Sequence, residues 1–94
     1  MFETILLQFR HCVRFSRYVV TAHAEEEMDE DRFSMFDVES VIFSGEVVER
    51  QRDSETTEWK YLIRGASLDG RRAVVVTKMS PTGKMVIITV FEDE

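Results

Sequence analysis

The stretch SMFDVESVIFSGEVVERQR, residues 34–52, changes its hydrophobic period at Gly45 and decides the fold. Before the glycine, apolar residues recur at the three-to-four spacing of one helical face: Val38, Val41 and Ile42. Ser34 followed by Asp37 is the pattern of a capping box, and Gly45 is the residue type expected at the C′ position of a helix. The stretch therefore predicts a helix that ends at Gly45 and then a polar edge strand over 46–52.

Downstream of Gly45 the period of two continues to the end of the chain. Three further alternating or apolar runs predict strands: 58–64, 71–79 and 85–91. The turn signals between them are Asp69-Gly70, typical of a tight hairpin, and Ser80-Pro81-Thr82-Gly83, typical of a β-turn. Four consecutive strands joined by short turns predict an antiparallel meander over 46–92.

Upstream of the opening stretch the sequence predicts mainly helix. A helical region covers 22–44, with Thr21 as the N-cap of its first helix. An amphipathic helix is predicted over 3–16, and its apolar stripe has helical spacing: Phe2, Ile5, Leu6, Phe9, Cys12 and Val13. Its opposite side is basic, through Arg10 and Arg14. The β-branched run 18–21 is either a strand or an extended connector.

These elements predict an α+β single domain over residues 1–94, with the N-terminal helices packed on one face of a four-stranded antiparallel meander sheet. Ninety-four residues with 44% hydrophobic and 32% charged side chains suit one domain with a thin core, and they exclude a disordered chain. The single cysteine, Cys12, excludes an internal disulfide and a Cys-rich zinc site.

The sequence contains no apolar run long enough for a membrane span and no signal-peptide pattern, so we expect a cytoplasmic protein without membrane association. It also contains no Gly-rich phosphate loop, no paired-ligand zinc spacing and no nucleophile elbow. We therefore expect no cofactor and no bound metal. The acidic run 25–31 lacks the glycine and the alternating carboxylates of a calcium loop, so we interpret it as a solvated helix face.

Charge is unevenly distributed along the chain. The formal net charge is −6, which argues against a nucleic-acid binder because phosphate contacts come from Lys and Arg. Residues 1–58 hold six basic and fourteen acidic side chains, whereas residues 59–91 hold six basic side chains and one acidic side chain. The predicted strands therefore form a basic module. It is either a solvated set of strand residues or a surface for phosphate or an acidic partner.

Two groups of short motifs resemble a known family. The first is His23-Ala24, Met28 and the pattern Ser34-x-x-Asp37-Val38-x-x-Val41-Ile42-x-x-Gly45. The second group lies in the strands: Tyr61-Leu62-Ile63-x-Gly65, Asp69-Gly70-Arg71, Val74-Val75-Val76 and Ile87-Ile88-Thr89-Val90-Phe91. Together they resemble domain-of-unknown-function family 4258, small bacterial and archaeal proteins, over about residues 18–92.

The resemblance implies a toxin-like fold related to the small ribonuclease toxins of type II toxin–antitoxin systems. It implies an RNA substrate and an antitoxin protein as partner. The chain departs from the family pattern at three positions: Glu27 stands where many members have Arg, Ala73 where many have His, and Phe91 where many have Tyr.

A metal-independent RNA endonuclease needs a group that moves protons and cations that stabilise the phosphorane. His23 is the candidate for proton transfer, because its ordinary pKa lies near 6.5. The alternative for His23 is local capping or packing. Arg64, Arg72 and Lys78 are the candidate cations, and Arg72 and Lys78 are predicted to share a face with Val74 and Val76. Tyr61 is either a second proton donor or part of a core stripe with Trp59 and Ile63.

Two functions follow from these residues. The first is a toxin-like RNA endonuclease that uses His23, Arg64, Arg72 and Lys78. The second is a non-catalytic protein-interaction or dimerisation domain with a degenerate toxin fold, in which those residues are dispensable. Because the core is thin, the apolar stripe of the N-terminal helix predicts a surface that a second subunit shares in a homodimer.

Overall fold

Three helices and five strands make up the computed structural model, which describes residues 1–94. The helices are α1 (Glu3–Arg14), α2 (Ala22–Asp31) and α3 (Met35–Ser44). The strands are β1 (Tyr18–Val20), β2 (Glu46–Arg52), β3 (Trp59–Ala66), β4 (Arg72–Met79) and β5 (Met85–Glu92). They form one sheet in the order β1-β5-β4-β3-β2. The predicted α+β class is confirmed, and β2 is an edge strand as expected.

The sheet is mixed and five-stranded, so the prediction of four antiparallel strands was wrong in this detail. Strands β2 to β5 form the antiparallel meander. β1 adds a fifth strand and pairs in parallel with the beginning of β5, with Tyr18 opposite Met85 and Val20 opposite Ile87. A run of three residues has no period of its own. Only its partner more than sixty positions away makes it a strand.

All three helices cover the same face of the sheet. Their buried side chains join those of β3, β4 and β5 in one core cluster of 15 residues. The apolar stripe of α1 is part of this core. Phe9, Cys12 and Val13 are buried in it, and Ile5 and Leu6 pack against it. The stripe itself is therefore not the surface that a second subunit would share.

The other face of the sheet carries no helix. Val74 and Val76 of β4 are only 3% and 8% exposed, yet neither belongs to the core cluster. Their neighbours on the adjacent strands cover them, with Arg64 and Phe91 opposite Val74 and Leu62 opposite Val76. We call this surface the open face.

The chain turns sharply at the ends of α1 and α2. α1 ends at Arg14, two residues earlier than predicted, because Ser16 adopts the left-handed backbone conformation (φ 55°) and the amide of Arg17 donates to the carbonyl of Cys12. α2 ends at Arg32, which is also left-handed (φ 57°). Single left-handed residues close helix ends without extending them.

α3 begins with the capping box that its sequence predicts. The Ser34 hydroxyl oxygen accepts from the Asp37 amide at 3.2 Å, and Asp37 Oδ2 accepts from the Ser34 amide at 2.8 Å. Asp37 is buried, and its other oxygen accepts from the amide of Leu68 in the turn between β3 and β4, at 3.0 Å. Asp37 therefore fixes the first turn of α3 to the sheet.

Two arginines bind the carbonyl ends of the helices. Arg10 of α1 donates to the carbonyl oxygens of Ile42 and Gly45 at the end of α3, both at 3.0 Å. Arg71 donates to the carbonyls of Asp31 and Arg32 at the end of α2. A cation at a helix C-terminus is favourable because the helix dipole is negative there. The prediction that Arg10 belongs to a basic outer side was therefore wrong.

The acidic face of α2 binds the edge of the sheet. β1 covers only the beginning of β5, so the later amides on that edge of β5 have no strand partner. Glu27 accepts from the amide of Val90, and Asp31, one turn later, accepts from the amide of Glu92, both at 3.2 Å. The interpretation of this run as a solvated face was therefore wrong for these two carboxylates, which protect an exposed strand edge.

Candidate functional site

An open cleft lies where the end of α3 meets β2, β3 and β4. Its volume is about 480 Å³, and its lining is mostly polar, backbone or charged: Ser44, Gly45, Glu46, Arg64, Gly65, Ala66, Gly70 and Arg72. Two of the four predicted site residues, Arg64 and Arg72, are in this set. The cleft is therefore the place where the fold concentrates the predicted chemistry.

Close backbone contact between α3 and β3 forms one wall of the cleft. A Cβ atom on Gly45 would lie 2.6 Å from the carbonyl oxygen of Val41 and even closer to that of Arg64. Gly45 ends α3 as predicted, and it does so with an extended backbone (φ −99°, ψ −171°). Glycine is required at this position for the close approach of the two backbones, not for its φ angle.

Two serines of α3 lock this contact. Ser44 Oγ accepts from the amide of Ala66 at 3.0 Å, and Ser40 Oγ donates to the carbonyl of the same residue at 2.7 Å. The last turns of α3 are thereby bonded to the end of β3. The cleft is built on rigid elements, which is what a site needs to hold its groups in place.

Glu46, Arg64 and Arg72 point into the cleft from three adjacent strands. Glu46 is directly opposite Arg64 in the pairing of β2 with β3, and Arg64 is opposite Val74, two residues after Arg72. Side chains alternate along a strand, so all three lie on the open face. Glu46, Arg64 and Arg72 therefore share one end of this face, and no ion pair within 4.0 Å joins Glu46 to either arginine.

The two arginines differ in their partners. Arg64 Nε lies 2.8 Å from Asp93 Oδ2, and both side chains are partly exposed. Arg72 is exposed and has no carboxylate within 4.0 Å. Arg72 is thus free to bind an external anion, whereas Arg64 already shares its charge with Asp93.

Lys78 lies at the other end of β4, outside the cleft. Its ammonium group is 3.1 Å from Glu58 Oε1 and 3.8 Å from Asp53 Oδ2, and the lysine side chain is mostly buried. The amide of Glu55 holds the pKa of Asp53 below its ordinary value, and the charge of Lys78 lowers it further against the opposing effect of burial. Lys78 is therefore neutralised locally, and the structure does not bring it together with Arg64 and Arg72.

His23 lies in the first turn of α2, on the helical side of the sheet. Its Nε2 is 3.2 Å from Oε1 of Glu27, the carboxylate that also binds the amide of Val90. It is exposed and does not line the cleft. The arrangement favours the alternative role of His23, a local contact.

Tyr61 also points away from the cleft. Its ring packs edge-on against Phe9 and Phe2, with ring centroids 5.7 and 6.1 Å apart. Ile63 of the same stripe is buried, while the guanidinium groups of Arg50 and Arg52 lie over the ring of Trp59, 3.9 and 4.3 Å from its centroid. Tyr61 therefore belongs to the core stripe and is not a proton donor for the cleft.

Arg71, counted in the basic module, belongs to the framework. It binds Asp69 at 3.0 Å, lies 3.6 Å from Glu92, and its guanidinium covers the ring of Phe33 at 4.0 Å. Hydrogen bonds from Ser67 and Arg71 lower the pKa of Asp69. Burial opposes the charge of Arg71, but the neighbouring carboxylates outweigh it and raise the pKa of the arginine. The basic surface is correspondingly smaller than the charge count suggests.

Sequence reasoning missed Glu46 as a site residue. Its strand was correctly placed, but the cross-strand register that sets Glu46 opposite Arg64 depends on the β-bulge between Val47 and Glu49. One signal in the sequence could have indicated Glu46. A glycine adjoins a charged residue both at the predicted helix end, in Gly45-Glu46, and in the strand that pairs with it, in Arg64-Gly65.

No group of three or more His, Cys, Asp or Glu side chains is arranged to hold a metal ion. None of the three helices is long and apolar enough to cross a membrane.

Comparison with known families gives one match. The family model described as "Domain of unknown function (DUF4258)" matches residues 20–92. The chain belongs to the DUF4258 family. Neither a curated protein nor a solved structure matches it significantly. The DUF4258 match includes α2, α3 and all of β2 to β5, and so contains every residue of the cleft. α1, with the capping residue Arg10, lies outside the matched span.

Proposed function

We propose that this DUF4258 protein is a toxin-like, metal-independent RNA endonuclease whose site is the cleft of Glu46, Arg64 and Arg72. The observation that supports the proposal is that Glu46, Arg64 and Arg72 line the same open cleft, together with three glycines. Arginine binds phosphate through a planar set of donors, and exposed glycine backbone allows a phosphate to approach closely.

Each group has a role in cleavage by the neighbouring 2′-hydroxyl. Glu46 accepts the proton of the 2′-hydroxyl, whose oxygen attacks the adjacent phosphorus as the bond to the 5′-oxygen breaks. Arg72 and Arg64 stabilise the negative charge that builds up on the phosphorane oxygens. The leaving 5′-oxygen takes a proton, from water or from protonated Glu46, and a 2′,3′-cyclic phosphate remains. No oxidant, reductant or cofactor is needed.

This assignment moves the base from His23 to Glu46. A general base must lie within hydrogen-bond reach of the proton it removes, directly or through one water. His23 is outside the cleft, whereas Glu46 is directly across the strand pair from Arg64. An antitoxin protein, the partner implied by the resemblance, would inhibit such an enzyme by covering the open face.

Inducible expression in a bacterial host tests the proposal in cells. We expect the wild-type protein to arrest growth with cleavage of messenger RNA, and Glu46→Gln or Arg72→Ala to relieve both effects. His23→Ala is the matched control, because it removes the other proton-transfer candidate outside the cleft, and we expect it to remain toxic. Normal growth with intact RNA at high levels of folded wild-type protein would contradict the proposal.

The second candidate function is a non-catalytic interaction domain. It is favoured by exposed large apolar side chains on the helical side of the molecule, among them Leu7, Phe15 and Phe43. In this case Glu46, Arg64 and Arg72 are dispensable, and substitutions of the apolar side chains abolish function. The same expression experiment distinguishes the two, because only the endonuclease depends on Arg72.

A further inference from the structure

α1 presents a second, exposed side that its own core does not use. Leu7 is 62% exposed and Phe15 is 59% exposed, although both are large and apolar. Glu3, Leu7, His11 and Arg14 are all exposed, and at 100° per residue they fall on one side of the helix. This exposed side is opposite to the buried stripe. Leu7 and Phe15 line the same groove, and exposed apolar side chains that cluster in this way mark interaction sites in soluble proteins.

The exposed side of α1 has the shape of a ridge between two grooves. One groove of about 610 Å³ runs between α1 and the turn that joins β4 to β5, with Leu7, His11, Met79 and Gly83 in its lining. The other, about 400 Å³, runs between α1 and α3 and is lined by Leu7, Phe15 and Phe43, among others. Helices pack by placing the ridge of one in the groove of another.

The two ends of the exposed side of α1 carry opposite charges, so an antiparallel copy of the helix has the complementary order of charges. Glu3 is at the beginning of α1 and Arg14 is at its end, with Leu7 and His11 between them. In an antiparallel pair of α1 helices related by a two-fold axis, Glu3 of each copy lies beside Arg14 of the other. The axis then passes near Leu7 and His11. An interface between identical copies requires this self-complementarity.

We propose that the exposed side of α1 binds a second copy of this chain, as an antiparallel α1–α1 homodimer. The present partners of the two charges do not prevent it. Glu3 forms an ion pair only with the exposed N-terminal ammonium. The guanidinium of Arg14 lies 5.7 Å from the ring centroid of Phe43.

Sedimentation equilibrium over a wide range of protein concentration tests the proposal. We expect a concentration-dependent dimer for the wild type, and a dissociation constant raised at least about thirtyfold by Leu7→Glu, the size of a hot-spot effect. Leu68→Glu is the matched control, because Leu68 is 70% exposed in the turn between β3 and β4, away from α1. Circular dichroism establishes that each variant is folded.

A charge exchange tests the antiparallel geometry. Glu3→Arg alone and Arg14→Glu alone each place like charges together, so we expect both to weaken the dimer. The double variant restores two opposite-charge pairs, so we expect it to regain dimerisation. A wild-type protein that stays monomeric at high concentration overturns the proposal. A dimer that Leu68→Glu disrupts and Leu7→Glu does not, or that the double exchange fails to restore, also overturns it.

The proposed dimer interface and the proposed endonuclease site lie on different surfaces of the protein. The cleft lies where the end of α3 meets β2, β3 and β4 and has no lining residue from α1, and α1 also lies outside the family match. Failure of one proposal therefore leaves the other unaffected.

Discussion

The Cα atom of Gly45 lies 3.0 Å from the position that a Cβ atom on Gly65 would occupy. The end of α3 and the end of β3 therefore touch through their backbones. This contact forms one wall of the cleft that Glu46, Arg64 and Arg72 line. The geometry of the site thus depends on the absence of a side chain at two glycines, Gly45 and Gly65.

Gly65→Ala is expected to destabilise the protein. The new methyl group would overlap the carbonyl oxygen of Val41 as well as Gly45, and both are backbone atoms that cannot move aside cheaply. Overpacking of this kind costs about 1–3 kcal/mol or more in the free energy of unfolding. Urea unfolding measures the change. Ser54→Ala, an exposed loop substitution, is the control, and equal stability of the two variants would contradict the account.

Arg10→Met is expected to loosen α3. The substitution keeps much of the apolar stem but removes both hydrogen bonds to the carbonyls of Ile42 and Gly45. Hydrogen bonds that involve a charged group contribute roughly 1.5–3 kcal/mol, so we expect a loss of that order in the free energy of unfolding. Arg17→Met makes the same chemical change at an exposed arginine whose side chain makes no hydrogen bond, and it should change the thermal midpoint little.

Glu27→Ala is expected to expose the edge of β5. It removes the carboxylate that accepts from the amide of Val90, and an unpaired buried donor costs about 1–3 kcal/mol. Amide hydrogen exchange followed by NMR measures the effect directly, as faster exchange at Val90. Glu26→Ala is the control, since Glu26 is exposed on the same helix. Unchanged protection of Val90 would show that Glu27 does not cap the strand edge.

Stability is expected to fall in acid, partly through Asp37. Burial raises the pKa of Asp37, but hydrogen bonds from the amides of Ser34 and Leu68 and from the Ser34 hydroxyl outweigh it, and the net pKa is lowered. A carboxyl with a lowered folded pKa contributes stability above its unfolded pKa of about 3.9. That contribution is lost as the pH falls through the folded pKa.

Asp37→Asn tests this pH dependence. We expect the variant to be less stable than the wild type at neutral pH by about 1–2 kcal/mol, the value of a helix cap, and the difference to shrink as the pH falls below about 4. Urea unfolding at a series of pH values gives the comparison. Glu30→Gln, at an exposed carboxylate, should follow the wild-type curve. A difference that stays constant with pH would contradict the assignment.

Local signals in the sequence predicted much of this fold, and long-range contacts account for the rest. The capping box of Ser34 and Asp37 and the change of period at Gly45 act over a few residues, so α3 and β2 could be located from the sequence. β1 and the capping role of Arg10 depend on partners more than thirty positions away. No local pattern encodes such contacts.

The candidate site was predictable only in part for the same reason. The sequence predicted Arg64 and Arg72 as cations on two strands. Both line the cleft because β3 and β4 are adjacent. His23 and Lys78 were chosen by residue type, and other contacts hold them elsewhere: Glu27 for His23, and Asp53 and Glu58 for Lys78. Glu46 enters the site only through the register of β2 on β3.

The most direct test of the central claim is cleavage of a labelled single-stranded RNA by the purified protein in the presence of EDTA. The account predicts products ending in 2′,3′-cyclic phosphate, formed by the wild type and by His23→Ala at similar rates. It predicts a rate at least about a hundredfold lower for Arg72→Ala, the size of effect seen when one transition-state donor is removed. Intact RNA with the folded wild type, or undiminished cleavage by Arg72→Ala, would contradict it.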